Sequence, residues 1–261
     1  MPVDAKGCRI VISKAVDDTG VDLALPESSA AEFRAARVNE MFTLKLKSPD
    51  RKAGHIQELS GNVEVFVPSN DSAATVTIDW SQKQVAIPIR SEALKSAAVE
   101  LTAWTADQYN AYLKNKEAED LKDSEAKERA AIKTLQEREA QLPVAVQEKG
   151  IANIKAAFAT GREAQALGRR KTMAPKSNDV VFSIKDPGRN LVGIEFRDPL
   201  NMSIKSTGTS EFYQQRGTAI EHERTYHFDA PVPPTGKLVI FVATPQSLTR
   251  TPFELRDIAL P

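Results

Sequence analysis

The chain has 261 residues, 41% of them hydrophobic and 27% charged, with 35 Lys and Arg against 35 Asp and Glu. That length exceeds the usual single-domain size, and the composition is that of an ordinary globular protein. The balanced charge supplies no net field to recruit nucleic acid or an anionic membrane, and no apolar run approaches the ~20 residues of a membrane span.

The opening, MPVDAKGCRIVIS, has no apolar core behind a basic start and so predicts no signal peptide. The compartment stays open: cytoplasmic, or exported with a signal peptide absent from this chain. The single cysteine, Cys8, lies in the strand-like run CRIVI, where a small buried apolar side chain is expected rather than a reactive thiol.

To about residue 104 the text alternates as β-strands do. In residues 42–47 (FTLKLK) the apolar side chains take one face and Thr43, Lys45 and Lys47 the other. Val63, Val65 and Val67 repeat this after the Ser60-Gly61-Asn62 turn signal. Val76 and Ile78, then Val85, Ile87 and Ile89, continue it, with Pro88 marking an edge strand because proline cannot donate to a ladder. Asp17-Asp18-Thr19-Gly20 reads as a hairpin turn.

Residues 105–142 change character to charged helix, and residues 106–142 contain neither Gly nor Pro. Thr105 with Asp107 makes a helix start, Pro143 a stop, and the helix would span about 55 Å at ~1.5 Å per residue. Its apolar stripe is thin. Leu121, Leu135 and Leu142 share a heptad phase that Lys114 and Glu128 interrupt, and Ile132 stands alone in the companion phase, so no self-sufficient coiled coil is predicted. Pairs such as Glu125 with Arg129 add weak support. Ile151, Ile154 and Phe158, set among alanines, form a short amphipathic helix that would brace the long one across a turn at residues 142–150. Gly161 and Gly168 close the helical text, residues 171–177 are expected as a flexible return, and Arg169-Arg170-Lys171 as an exposed site for proteolysis.

From about residue 178 the strands resume. Val180, Phe182 and Ile184 precede the turn Asp186-Pro187-Gly188-Arg189-Asn190, and Val192, Ile194 and Phe196 follow it. Residues 238–243 (LVIFVA) predict a central strand buried on both faces. Phe253 and Leu255 share one parity and Ile258 and Leu260 the other, which predicts a β-bulge near Arg256-Asp257.

Chemistry-bearing motifs are scarce. There is no GxSxG, Walker A, GxGxxG or HExxH sequence. His222 and His227 lie five apart on a predicted strand, hence on opposite faces, and cannot readily share a metal ion. His55 sits in a loop without a nucleophile context. Asp17, Asp18, Asp71, Asp186 and Asp198 read as turn formers rather than calcium ligands. Trp80 and Trp104 are expected to pack rather than to offer a carbohydrate platform.

The stretch KSPDRKA leading into Leu59-Ser60-Gly61-Asn62-Val63, together with the ending PFELRDIALP, resembles uncharacterised bacterial β-sandwich proteins with a helical insertion. The resemblance implies a non-enzymatic protein of unassigned role, with export as one of the two compartments left open, and carries no catalytic residues to transfer.

These readings predict a mostly β chain with a helical insertion. The two halves, 1–104 and 177–261, read as Ig-like β-sandwich domains, joined by a helical hairpin arm at 105–170 and a linker at 171–176. An alternative has both halves building one composite body. The expected role is a soluble, non-enzymatic structural or protein-interaction module, with the arm as spacer or oligomerisation element. Its contact residues would be Leu121, Ile132, Leu135, Leu142, Ile151, Ile154 and Phe158. No metal or cofactor is expected, and the partner is a protein or a second copy. The alternatives are a carbohydrate-binding or adhesion-type protein and, less favoured, a hydrolase.

Overall fold

The computed structural model describes the chain except residues 1, 3, 26–30, 37–40, 81–85, 87, 139, 140, 142, 172, 173, 217, 218 and 261; side chains of 165–171, 214–216 and 219–221 also lie outside the description. The first strand, β1 (Gly7–Asp17), ends in the expected turn, where Gly20 takes φ 88°, a conformation that costs glycine no Cβ clash. β2 (Arg34–Ala35) is brief, and β3 (His55–Phe66) carries Val63 and Val65. Residues 42–47 form no ladder: Leu44 and Leu46 pack against a core of Ala15, Leu23, Ile56 and Leu59, and Lys47 N–H donates to Leu23 O at 2.9 Å. The alternation is real there, but among the described residues a single backbone–backbone hydrogen bond fixes it. β4 (Thr75–Asp79) and β5 (Pro88–Ile89) follow; Val85 and Ile87 lie outside the described residues.

A short helix, α1 (Glu92–Ser96), is capped by the Ser91 hydroxyl, and β6 (Glu100–Thr105) leads straight into α2 (Ala106–Arg138). Thr105 and Gln108 make a reciprocal capping box, each backbone N–H reaching the other's side-chain oxygen at 3.4 Å. The second long helix, α3 (Val144–Lys171), begins directly after Pro143. It is not the short helix expected, because Gly150, Gly161 and Gly168 fail to end it. A glycine costs a helix interior about 1 kcal/mol, which a run this rich in alanine absorbs.

The C-terminal strands are β7 (Val180–Lys185), β8 (Leu191–Arg197), β9 (Ser203–Ile204), β10 (Gly208–Arg216), β11 (Ala219–His227), β12 (Lys237–Val242) and β13 (Leu248–Ala259). Between β7 and β8 the Asp186 carboxylate accepts from Asn190 N–H at 2.9 Å and Leu191 N–H at 2.7 Å, fixing the turn. β13 keeps one register against β3 from Leu248 to Ala259, so the predicted bulge is absent as a slip. The parity change is made by Asp257, at φ 55°.

Three sheets result, with orders β13-β3-β1-β2, β10-β11-β7-β6-β5 and β4-β12-β8-β9. Each combines strands from both sides of the helices: β3 pairs with β13, β4 with β12 and β6 with β7, all antiparallel. Pro88 lies on an edge strand, as its missing N–H requires. β12 runs between β4 and β8 and is buried on both faces. Leu238, Ile240 and Val242 join Phe182, Ile184, Ile194, Phe196 and Tyr226 in one core, while Val239 and Phe241 meet Phe66 in another. Its continuous apolar run follows from that double burial. Rings of Phe182, Phe196 and Tyr226 pack 5.4–6.1 Å apart in the first core. Among the described residues no helix is long and apolar enough to cross a membrane.

Candidate functional site

The helical pair is held at its base. Of α2's side chains only those of Ala106 and Tyr109 are buried. The rings of Trp104, Tyr109 and Tyr112 stack together, with centroids 4.9–6.4 Å apart, and the Tyr109 hydroxyl donates to the Glu223 carboxylate on β11. The Trp104 indole N–H is buried without a hydrogen-bond partner among the described residues.

Beyond that base one face of each helix is half-covered. On α2 it passes Leu113, Lys116, Asp120, Ser124, Glu128, Ala131 and Leu135; on α3 it passes Gln147, Ile151, Ile154, Phe158 and Arg162. Steps of three and four place each set on one side of its helix. The Arg162 guanidinium donates to Glu128 at 2.7 Å, and both side chains are largely covered. Ile132, Leu135, Ile151, Ile154 and Phe158 are therefore half-buried along the pair. Leu121 stands off the stripe and is 47% exposed, and Leu142 lies outside the described residues. Val144 and Val146, not singled out from the sequence, are exposed where α3 begins.

A second constellation lies on the sheet face that also carries Trp104 and Glu223. Register sets His227 opposite Gly208 and Ser210 opposite Thr225, so Ser210 and His227 are diagonal neighbours on one face. The Ser210 Oγ lies 3.1 Å from His227 Nε2, and His227 Nδ1 lies 3.0 Å from Asp179 Oδ2. Asp179 is 3% exposed and accepts from Lys176 N–H at 2.7 Å. Sequence reading placed His227 on a strand but found neither partner. Residues 179, 210 and 227 meet only through the pairing of β10, β11 and β7, and no local spacing announces that.

On the opposite face, near the free edge of β10, Glu211 lies 2.7 Å from Arg224 Nε and 3.7 Å from His222 Nε2, the latter beyond hydrogen-bond length. The His222 ring beside it, aided by the Arg224 charge and opposed by burial, holds the Glu211 carboxyl down to about 2. Tyr213 stacks on His222 with centroids 4.4 Å apart and donates to Glu211 at 3.1 Å and to Glu32 at 3.2 Å. Its phenol is raised, by burial first and by the two carboxylates next. His222 and His227 thus lie on opposite faces.

The remaining polar candidates have structural employment. Asp17, fully buried, is raised by that burial, but hydrogen bonds from Asp50 N–H, the Thr19 hydroxyl, Val21 N–H and Thr19 N–H bring it down to about 2. Asp71 caps a helical turn and accepts from the Thr244 hydroxyl. Asp198 accepts from Met202 N–H at 2.8 Å. His55 lies 3.2 Å from Asp18 and 3.6 Å from Asp257. Among the described residues no three His, Cys, Asp or Glu side chains gather as a metal site. Trp80 is 5% exposed and packs edge-on against Phe196, while Trp104 is half-buried against Tyr109 and Tyr112. A shallow depression of about 490 Å³ is lined by Ser13, Ser60, Gly61, Asn62, Pro252, Phe253 and Glu254, and one of about 280 Å³ by residues 194–196 of β8, residues 203–206 and Tyr226. Neither includes Ser210 or His227. Comparison with family models, with curated proteins and with solved structures finds no match.

Proposed function

We propose that the chain is a structural or protein-interaction module: a composite β body that displays a helical hairpin arm, through which the protein self-associates. The observation that carries this reading is the mismatch between the length of α2 and its burial. A 33-residue helix, about 50 Å long at ~1.5 Å per residue, buries two side chains, both in its first turn. Helices in globular proteins owe most of their stability to an apolar face packed on a core. Here one face is only half-covered by α3, while Leu121, Val144 and Val146 are exposed. A second copy, or another protein, completes the cover.

The composite body is supported by the pairing of Thr105 with Val180, which makes the whole helical stretch the connection between two adjacent antiparallel strands. An insertion at that place leaves the strand pairing intact.

Light scattering on the full chain and on a chain with residues 130–160 replaced by a short Gly/Ser loop tests the reading. Glu128 and Arg162 are in contact, so a short loop can join the cut ends. The full chain is expected to associate and the shortened chain to be monomeric. Equal association in both would refute the arm's role.

A further inference from the structure

We propose that Ser210, His227 and Asp179 form a nucleophilic acyl-transfer site for small carboxylic esters, a function independent of the arm's. Nucleophile–base–orienter sets are recognised by geometry and role, not by sequence order. Three observations assign the roles. Ser210 Oγ lies 3.1 Å from His227 Nε2, within reach for proton transfer, and Ser210 is exposed to solvent. His227 Nδ1 lies 3.0 Å from Asp179 Oδ2, which fixes the tautomer with the proton on Nδ1 and leaves Nε2 as the acceptor. Asp179 is buried and held by Lys176 N–H, so the orienting carboxylate is out of water while the nucleophile is in it.

The fold supplies the alignment. Gly208 lies opposite His227, where a Cβ would stand 3.8 Å from the ring, in ordinary van der Waals contact, so the strand pairing seats the imidazole beside β10. β10 is the edge strand of its sheet, and such an edge presents alternate backbone N–H groups to solvent, the donor type that stabilises an oxyanion. Ser210 is exposed, and neither of the two depressions described above includes it or His227, so the nucleophile stands on an open surface. It fits a short acyl group rather than a long chain that needs an apolar tunnel.

In the step assigned, the Ser210 hydroxyl proton passes to His227 Nε2 as Oγ bonds the ester carbonyl carbon. The imidazolium then protonates the leaving alcohol oxygen as the carbon–oxygen bond breaks, leaving acyl-Ser210. Water, deprotonated by His227, attacks that ester, and the returning proton restores Ser210 and releases a carboxylic acid. Asp179 does not change protonation and acts as a positioning residue.

The full chain is treated with an alkyl fluorophosphonate, which phosphonylates an activated serine with loss of fluoride, and the adduct is mapped by peptide mass spectrometry. A single adduct on Ser210 is expected. The labelling rate should fall by about 100-fold in His227→Gln and by at least about 10-fold in Asp179→Asn, whose wrong tautomer blocks the base. Ser210→Ala changes an exposed side chain, so its fold is retained by circular dichroism and its label lost. No adduct on Ser210, or an equal rate in His227→Gln, would overturn the assignment. Hydrolysis of p-nitrophenyl acetate that survives in Ser210→Ala would also overturn it, because the histidine would then act without the serine. The association state of the chain does not enter any of these outcomes.

Discussion

Glu64→Gln removes one negative charge from a buried row that joins the two ends of the chain. Glu64 on β3 lies directly opposite Arg9 on β1 and opposite Arg250 on β13. Its two oxygens accept from Arg9 Nε and Arg250 Nε, each at 2.8 Å. Burial raises the Glu64 carboxyl, but the hydrogen bonds and charges of Arg250 and Arg9 outweigh it and leave it lowered. Arg9 and Glu64 are 8% and 6% exposed, whereas the Arg250 side chain is half exposed. The substitution keeps the volume and strands the Arg9 charge. Breaking a buried pair from one side costs roughly 3–5 kcal/mol. The low end applies, because Arg9 keeps its bond to Arg189 O at 2.8 Å and its place over the Phe33 ring at 4.3 Å. The expected loss is about 3 kcal/mol in urea unfolding, with Tm lower by roughly 6–12 °C. Arg250→Ala is the comparison: its guanidinium is half exposed and Glu64 keeps Arg9, so the loss should stay below about 1 kcal/mol. A Glu64→Gln loss no larger than that of Arg250→Ala would refute the claim that the row is a buried ion cluster.

Further outcomes follow from the same geometry. Gly61→Ala should cost about 1–3 kcal/mol, at the upper end, since its Cβ would lie 2.2 Å from Val11 O; Gly193→Ala, with nothing within 4 Å, should be neutral or slightly stabilising in the same urea titration. The folded-state pKa of Glu211, about 2, lies below its ordinary 4.5, so its contribution to stability is complete above pH 4.5 and is lost as pH falls toward 2. Wild type and Glu211→Gln should therefore converge in unfolding free energy on acidification, and a constant difference across that window would contradict the pairing with His222 and Arg224. Thr105→Ala removes half of the capping box and should cost about 1 kcal/mol, read as reduced helical signal in far-UV circular dichroism.

Local periodicity made much of this molecule legible. The double burial of β12, the edge position of Pro88, the turn at Asp17 and the helix start at Thr105 each depend on a few neighbouring side chains, and each can be read from a short window. Residues 42–47 misled because alternation reports burial, not a ladder partner. α3 misled because a glycine inside a helix lowers stability without breaking hydrogen bonds; Gly161 is exposed, and a Cβ there would meet nothing within 4 Å. Pairings such as β3 with β13 were not legible, since strands separated by most of the chain carry no mutual signal in one sequence. The same limit hid Ser210 and Asp179, which meet His227 only once three strands are in register.

The arm and the serine site share a sheet face, and this links the two proposals mechanically though not chemically. Thr105 is both the last residue of β6 and the cap of α2, and it pairs with Val180, the residue after Asp179. Tyr109 donates to Glu223, four residues before His227 on the same face of β11. A cut at the base of the arm would thus unroof Trp104, release the Glu223 carboxylate and disturb the strand ends that hold Asp179. A cut between Glu128 and Arg162 leaves all of those contacts in place. If the arm serves only association, that distal cut should change the mass of the particle and leave fluorophosphonate labelling of Ser210 at its full rate. A fall in labelling as well as in mass would refute the independence of the serine site from the arm, because the distal cut leaves the contacts among Asp179, His227 and Ser210 in place.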